Sequence, residues 1–157
     1  MSKLKLLIRS VAAVVAIATF AGCDSSTPDT PFYGTEISPA RAAPGFSGPN
    51  WDGTTFTLAG QRGKVVLLAF GYTFCPDVCP ATLTEIGYVL DMLGPVGEQV
   101  IPLFITVDPE RDTPENMKEY LSYFHPRIVG LTGTLGQVTA VAKAYKIYFA
   151  KTPAEPA

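Results

Sequence analysis

The sequence predicts an α/β protein with one folded domain and a mostly parallel sheet. Segments typical of buried strands alternate with segments whose apolar residues recur at helical spacing, and such alternation implies parallel strands joined by right-handed helical crossovers. The chain has 157 residues, enough for one domain of ordinary size, and its 47% hydrophobic and 17% charged residues are typical of a globular protein. A formal net charge of −2 gives no reason to expect a nucleic-acid partner.

Five segments carry strand signals. They are TTFTLA (54–59), KVVLLAFGY (64–72), QVIPLFITVD (99–108), RIVGLTG (127–133) and KIYFAK (146–151). The first alternates apolar and polar residues and is followed by glycines, as expected of a short strand before a turn. The second and third are apolar runs rich in branched residues, so we expect both faces of these strands to be buried.

Three helices are predicted between these strands. The first begins with Pro80, ends at Gly94-Pro95, and has an apolar face formed by Leu83, Ile86, Leu90 and Leu93. Asp112 or Thr113 can cap the second, whose apolar face carries Met117, Tyr120, Leu121 and Phe124. Thr134 and Gln137 form a capping-box pattern at the start of the third helix. The side chains of this helix expected to face the core are Val138, Val141, Ala142 and Tyr145.

The first 22 residues have the pattern of an export signal. An apolar run, 11–22, follows three basic residues, Lys3, Lys5 and Arg9. This run is too short to span a bilayer, which needs about 20 apolar residues. Small residues directly before Cys23 resemble the lipobox of bacterial lipoproteins, which implies cleavage before Cys23 and lipidation of this residue. The alternative is an ordinary signal peptide followed by an incidental cysteine.

This pattern predicts the domain organisation and the location of the protein. We expect residues 1–22 to be a lipoprotein signal peptide, residues 23–44 to be a lipid-anchored tether and residues 45–157 to be the folded domain. The protein would then be anchored to a membrane of the bacterial cell envelope, facing the periplasm or another extracytoplasmic space.

Cys75 and Cys79 are the candidate functional residues. They lie in FGYTFCPDVCP (70–80), where a buried strand gives way to a helix, and the helix dipole at such a position favours the thiolate. In an oxidising compartment two such thiols can form a disulfide. Two thiolates and one imidazole would suffice for Cu(I), whereas a closed zinc site needs four ligands and the chain has one histidine. The spacing leaves redox chemistry and metal binding both open.

Three segments in this order resemble the Sco/SenC family of thioredoxin-like proteins: FGYTFCPDVCP (70–80), VDPERDTPENM (107–117) and IVGLTGT (128–134). The resemblance covers residues 45–151 and implies a thioredoxin-like fold with an N-terminal extension. It implies a copper chaperone for the CuA centre of cytochrome c oxidase, with thiol-disulfide oxidoreductase activity in some members. Cys75 and Cys79 would be two of three copper ligands and also the redox pair.

The resemblance also implies partners: the oxidase subunit that carries CuA or its assembly factors, other periplasmic copper or thiol-redox proteins, and the membrane through the lipid anchor. The family's third ligand is a histidine in an Asp-His-Ser stretch beyond KIYFAK, and the 157 residues contain no such stretch, nor the strand and closing helix that follow it. We therefore expect a C-terminally truncated fragment, with a divergent short form as the alternative. Copper chaperone, periplasmic thiol-disulfide oxidoreductase and inactive fragment are the three candidate functions.

The other conspicuous residues have structural interpretations. His125 does not match the position of the family's ligand and is expected to be a cap or surface residue. Asp77 is expected to be a solvated or helix-capping carboxylate, because a carboxylate is a hard ligand beside a soft site. The DPERDTP segment (108–114) is expected to be a structured loop whose charges pair locally or cap the next helix. Trp51 is expected to belong to the core or to form a lid of the N-terminal extension.

Overall fold

The computed structural model describes residues 33–37 and 39–151. The predicted signal peptide and the predicted lipidation site at Cys23 lie outside these residues. The chain separates into two units, Met1–Arg41 and Ala42–Ala157, and the second contains all the elements below. None of the helices in the described part of the chain has the length and apolar character that a bilayer crossing requires.

A short antiparallel pair precedes the main sheet. It consists of β1 (Ser47–Pro49) and β2 (Thr55–Thr57). The main sheet is parallel and has the order β3-β4-β5, with bounds of Val65–Gly71, Val100–Thr106 and Val129–Leu131. β3 and β4 pair along their whole length, so their carboxyl ends lie side by side.

Three helices connect and follow these strands: α1 (Val78–Leu93), α2 (Pro114–Leu121) and α3 (Leu135–Ala144). Two 3-10 helices, Leu58–Gln61 and Gly94–Gln99, complete the regular elements. α1 begins two residues before Pro80 and ends at Gly94, whose φ of 52° lies in the left-handed region that glycine adopts without strain.

The capping signals identified the starts of the two later helices. The hydroxyl of Thr113 accepts a hydrogen bond from the amide of Asn116, so Thr113 is the N-cap of α2 and Asp112 is not. Thr134 and Gln137 form the reciprocal bonds of a capping box at the start of α3, as predicted.

The core lies on both faces of β4, because successive side chains of a strand point to opposite faces. Phe104 packs on one face with residues of α1, α2 and the segment before β5: Leu83, Ile86, Leu90, Met117, Leu121 and Ile128. Leu103 and Ile105 pack on the other face with Phe56 of β2 and Leu131 of β5. Trp51 packs against the first cluster, as predicted, whereas Leu93 of the predicted helix face is 38% exposed.

The strand predicted at KIYFAK is wrong. Residues 146–151 are described and form no strand, and Lys146 has a φ of 59° that directs the chain away from α3. The amide of Ile147 returns to the carbonyl of Ala142 at 2.8 Å and so completes the end of the helix. Tyr148 is 90% exposed. An apolar run becomes a strand only when a neighbouring strand pairs with its backbone, and no described strand does so here.

Candidate thiol site

The two candidate cysteines lie at the junction between β3 and α1, where the sequence places them. β3 ends at Gly71, and Cys75 lies in the loop while Cys79 lies in the first turn of α1. A turn closed by the amide of Cys75 and the carbonyl of Tyr72 at 3.2 Å shapes this loop. The amide of Cys79 donates to Sγ of Cys75 at 3.4 Å, so the helix start directs an N–H group at the first thiol.

Both thiols are buried, with 8% of Cys75 and 9% of Cys79 exposed, but their environments differ. Burial opposes ionisation of Cys75, yet hydrogen bonds from the Cys79 thiol and from the amides of Asp77, Val78 and Cys79 outweigh it and lower the pKa of Cys75. Burial, the bond to Cys75 and the negative charges nearby raise the pKa of Cys79 to about 11. Cys75 is therefore the sulfur that ionises first.

Gly71 lets the Cys79 thiol pack directly beneath the end of β3. A Cβ on Gly71 would lie 2.8 Å from Sγ of Cys79 and 2.7 Å from the ring of Phe104. Both contacts are shorter than van der Waals separation, so no larger residue fits without moving β3 or α1. The absence of a side chain at this position sets how closely the thiol approaches the sheet.

Asp112 is a residue of the site that the sequence did not identify. Its side chain is completely buried and accepts hydrogen bonds from the hydroxyl of Thr73 at 2.6 Å, the amide of Thr73 at 3.1 Å and the hydroxyl of Thr106. The hydroxyl of Tyr120 is also buried and has no hydrogen-bond partner in the described part of the chain. Burial, followed by the negative charges of Cys79, Cys75 and Asp112, raises the pKa of Tyr120 to about 12.

The DPERDTP loop contains one local ion pair, as predicted, and a second ion pair that reaches a residue outside the loop. Arg111 pairs with Asp108, and Lys151 pairs with Glu110. The Arg111 guanidinium also lies 4.8 Å from the ring centroid of Phe74, which is 57% exposed. This contact joins the loop to the cysteine loop and shows that Phe74 packs under Arg111 rather than in the core.

Asp77 lies where its structural interpretation predicts, whereas His125, with 18% of its side chain exposed, is neither the C-cap of α2, which is Ser122, nor a surface residue. Asp77 is exposed at the N-cap of α1, and its side chain makes no capping hydrogen bond, so it is a solvated carboxylate. His125 follows α2 and faces α1, with Nε2 3.5 Å from a carboxylate oxygen of Asp91. The described residues contain no cluster of three or more His, Cys, Asp or Glu side chains able to hold a metal ion. Cys75 and Cys79 are thus two soft donors without a third among these residues.

The fold and this site define a thioredoxin-like α/β protein with a pair of buried thiols where the first strand of the parallel sheet meets its helix. The SCO1/SenC family model matches residues 34–157, and the chain belongs to this family.

Two curated relatives illustrate the range of the family. The mitochondrial protein SCO2 of Saccharomyces cerevisiae is 47% identical over 105 residues, which cover 66% of this chain and 35% of SCO2. The SCO2-like protein of Rickettsia prowazekii is 42% identical over 100 residues, which cover 64% of this chain and 49% of that protein. The family therefore includes mitochondrial and bacterial proteins, and the chain spans less than half of each relative's length.

Solved structures agree with this assignment. ScoI of Bradyrhizobium japonicum, solved with copper bound, superposes with a TM-score of 0.69 at 41% identity, covering 74% of each chain. BsSco, described as a member of the Sco family of cytochrome c oxidase assembly proteins with a disulfide switch, gives a TM-score of 0.59 at 26% identity and covers 69% of this chain and 67% of its own.

Proposed function

We propose that this chain is a copper chaperone that carries Cu(I) on the thiolates of Cys75 and Cys79 and serves the assembly of the CuA centre of cytochrome c oxidase. The observation that carries the proposal is the arrangement of the two thiols, which are buried four residues apart with the amide of Cys79 bonded to Sγ of Cys75. Membership of a family in which a relative has been solved with copper bound supports the choice of metal.

The chemistry of the donor set fits Cu(I). Thiolates are soft ligands, and Cu(I) accepts two or three of them, whereas Mg²⁺ and Ca²⁺ require several oxygens. Because the described residues supply no third donor, a third ligand would come from outside them or from the protein that exchanges copper with this one. Copper is here the cargo, so a site of two protein ligands is compatible with its release.

The position of the site suits transfer to a partner. Three residues of the cysteine segment, Pro76, Asp77 and Val78, are exposed although the two thiols are buried. A docking protein could therefore contact this segment and reach the metal without opening the core. We propose the oxidase subunit that receives CuA, or one of its assembly factors, as this partner.

Copper loading tests the proposal directly. The reduced chain is titrated with Cu(I) against a chromophoric chelator, alongside Cys75→Ser, Cys79→Ser and the matched control Cys23→Ser. We expect one Cu(I) per wild-type chain, the same in the control, and loss of competitive binding in the other two variants. Failure of the wild-type chain to retain Cu(I), or retention by both Cys75→Ser and Cys79→Ser, would contradict the proposal.

A second candidate function, thiol-disulfide exchange, is favoured by the difference between the two thiols. Cys75 has the lowered pKa of an attacking thiolate, and Cys79 keeps its proton until attack by Cys75 has occurred. The Cys75 thiolate would attack a substrate disulfide, form a mixed disulfide and expel one substrate thiolate. Cys79, after losing its proton, would then attack Sγ of Cys75 and expel the second thiolate. The substrate gains two electrons and the chain keeps a Cys75–Cys79 disulfide.

Turnover separates the two functions. Rapid reduction of protein disulfides by a chain that retains no Cu(I) would favour the oxidoreductase. A chain that neither binds Cu(I) nor reduces disulfides would favour the third interpretation, an inactive protein.

We also propose export and lipid anchoring in the cell envelope, from residues 1–22 and Cys23. Metabolic labelling with a clickable fatty acid in a bacterial host tests this anchor. The wild-type chain should carry the label and Cys23→Ser should not, whereas equal labelling of both would rule the anchor out.

A further inference from the structure

Asp112 has a buried carboxyl group with no cationic partner among the residues that the structure describes. Its side chain is fully buried, and within the described part of the chain no Lys, Arg or His side chain forms a salt bridge with it. Both carboxylate oxygens instead accept hydrogen bonds from neutral donors, on Thr73 and on Thr106. A buried carboxylate is unfavourable unless its lone pairs are satisfied, so these donors and the carboxylate hold one another in place.

The groups bonded to Asp112 come from the carboxyl ends of all three parallel strands. Thr73 lies two residues beyond β3, Thr106 is the last residue of β4, and Thr132 directly follows β5. Thr73 and Thr106 donate to the carboxylate, and the hydroxyl of Thr132 donates to the backbone carbonyl of Asp112 at 2.8 Å. One residue therefore ties together the edge of the sheet at which the thiols lie.

The bonds to Thr73 reach the cysteine loop. Thr73 follows Tyr72, whose carbonyl accepts from the amide of Cys75, so the backbone that Asp112 holds belongs to the same turn as Cys75. Asp112 is bonded to this turn twice, through the amide and through the hydroxyl of Thr73. A chain of hydrogen bonds and one peptide link thus connects the turn at Cys75 to a carboxylate 37 residues away in the sequence.

We infer that Asp112 is a positioning residue for the thiol pair. Through Thr73 its carboxylate holds the loop that presents Cys75 and so keeps the two sulfurs prearranged for closing a disulfide or holding a metal ion. The inference rests on the proposed function for the use of the thiols, but the positioning itself is measurable without copper. Prearranged groups react with a high effective concentration, which falls when the loop that carries one of them loosens.

The equilibrium of the Cys75–Cys79 disulfide with glutathione measures this effective concentration. We compare the whole chain with Asp112→Asn, which keeps the shape but replaces one of the two acceptor oxygens by an amide donor, and with Thr73→Val, which removes the hydroxyl donor and leaves Asp112 in place. Both should lower the equilibrium constant for disulfide formation by about tenfold, equivalent to about 30 mV in the two-electron potential. Thr73→Ser keeps the hydroxyl and should restore the wild-type value to within about twofold.

Thr106→Val is the matched control. It removes a hydroxyl that donates to the same carboxylate and accepts from the amide of Asp108, but this hydroxyl belongs to β4 and not to the cysteine loop. Its unfolding temperature should fall while its disulfide equilibrium stays within about twofold of wild type. The inference is overturned if Thr73→Val and Asp112→Asn change only the unfolding temperature, or if Thr106→Val shifts the disulfide equilibrium as far as Thr73→Val does.

Parallel Cu(I) titration keeps this result separate from the proposed function. A wild-type chain that shows the disulfide shifts but retains no Cu(I) would contradict the copper proposal and leave the role of Asp112 intact. If the wild-type chain binds Cu(I) but Asp112→Asn and Thr73→Val leave the disulfide equilibrium unchanged, the role of Asp112 is contradicted and the copper proposal stays intact.

Discussion

Gly71→Ala is expected to destabilise the protein and to displace the second thiol. The added methyl group would lie 2.7 Å from Cε2 of Phe104 and 2.8 Å from Sγ of Cys79. Carbon atoms in contact lie about 3.5–4.0 Å apart, so β3 or its neighbours must move by about 1 Å. Phe104 is 2% exposed and Cys79 is fixed in the first turn of α1, which leaves little room for this movement.

Overpacking of a core costs about 1–3 kcal/mol, and two crowded neighbours favour the upper end of this range. The loss of backbone freedom in the unfolded chain offsets about 0.4–1 kcal/mol of it. We therefore expect the free energy of unfolding to fall by about 2 kcal/mol, and the melting temperature by about 10 °C for a domain of this size.

Urea unfolding under reducing conditions measures the loss of stability in Gly71→Ala. Competition for Cu(I) measures the displacement of the Cys79 thiol. Gly60→Ala is the matched control, because a Cβ there meets nothing within 4 Å. Its free energy of unfolding should not fall, and the loss of freedom in the unfolded chain should raise it by up to about 1 kcal/mol. If Gly71→Ala matched wild type in both stability and Cu(I) affinity, the close approach of Cys79 to β3 would not be essential and the reasoning would be refuted.

Three further outcomes follow from the same geometry. At neutral pH iodoacetamide should alkylate Cys75 faster than Cys79, because the pKa of Cys75 is lowered while that of Cys79 is about 11. Peptide mass spectrometry measures the two rates, and faster labelling of Cys79 would contradict this prediction. Thr113→Ala should lower the free energy of unfolding by about 1 kcal/mol through loss of the α2 cap, whereas Thr139→Ala, exposed within α3, should not lower it. Gly130→Ala should cost about 2–3 kcal/mol in urea unfolding, since its Cβ would lie 2.4 Å from Leu121, and a wild-type midpoint would rule out this close packing.

The features that were predictable depend on residues close together in the chain. The continuous apolar runs identified β3 and β4 as strands. The expectation that both faces are buried holds for β4 but is wrong for β3, an edge strand whose Val65 and Leu67 are 64% and 39% exposed. The capping patterns identified the starts of α2 and α3, because the bonds of a cap join residues three positions apart. The same local reasoning placed Cys75 and Cys79 at a strand-to-helix junction.

The features that were missed depend on contacts between distant segments. The KIYFAK segment has an apolar pattern but forms no strand. Whether such a segment becomes a strand depends on pairing with another strand, and the residues of the segment alone do not reveal whether a partner is present. Asp112 has the local signature of a helix cap, and only the fold brings it to Thr73, 39 residues earlier in the chain.

The sequence by itself determined the α/β class, the order of the main elements, the position of the thiol pair and, through its three motifs, the family. Each depends on residue types at short spacing, which periodicity, capping and motif order make visible. The tertiary structure alone decided how deeply each thiol is buried, how closely Cys79 approaches β3 and that the carboxylate of Asp112 bonds to Thr73. These properties depend on contacts between segments that are distant in the chain, and such contacts exist only once β3, β4 and β5 lie side by side.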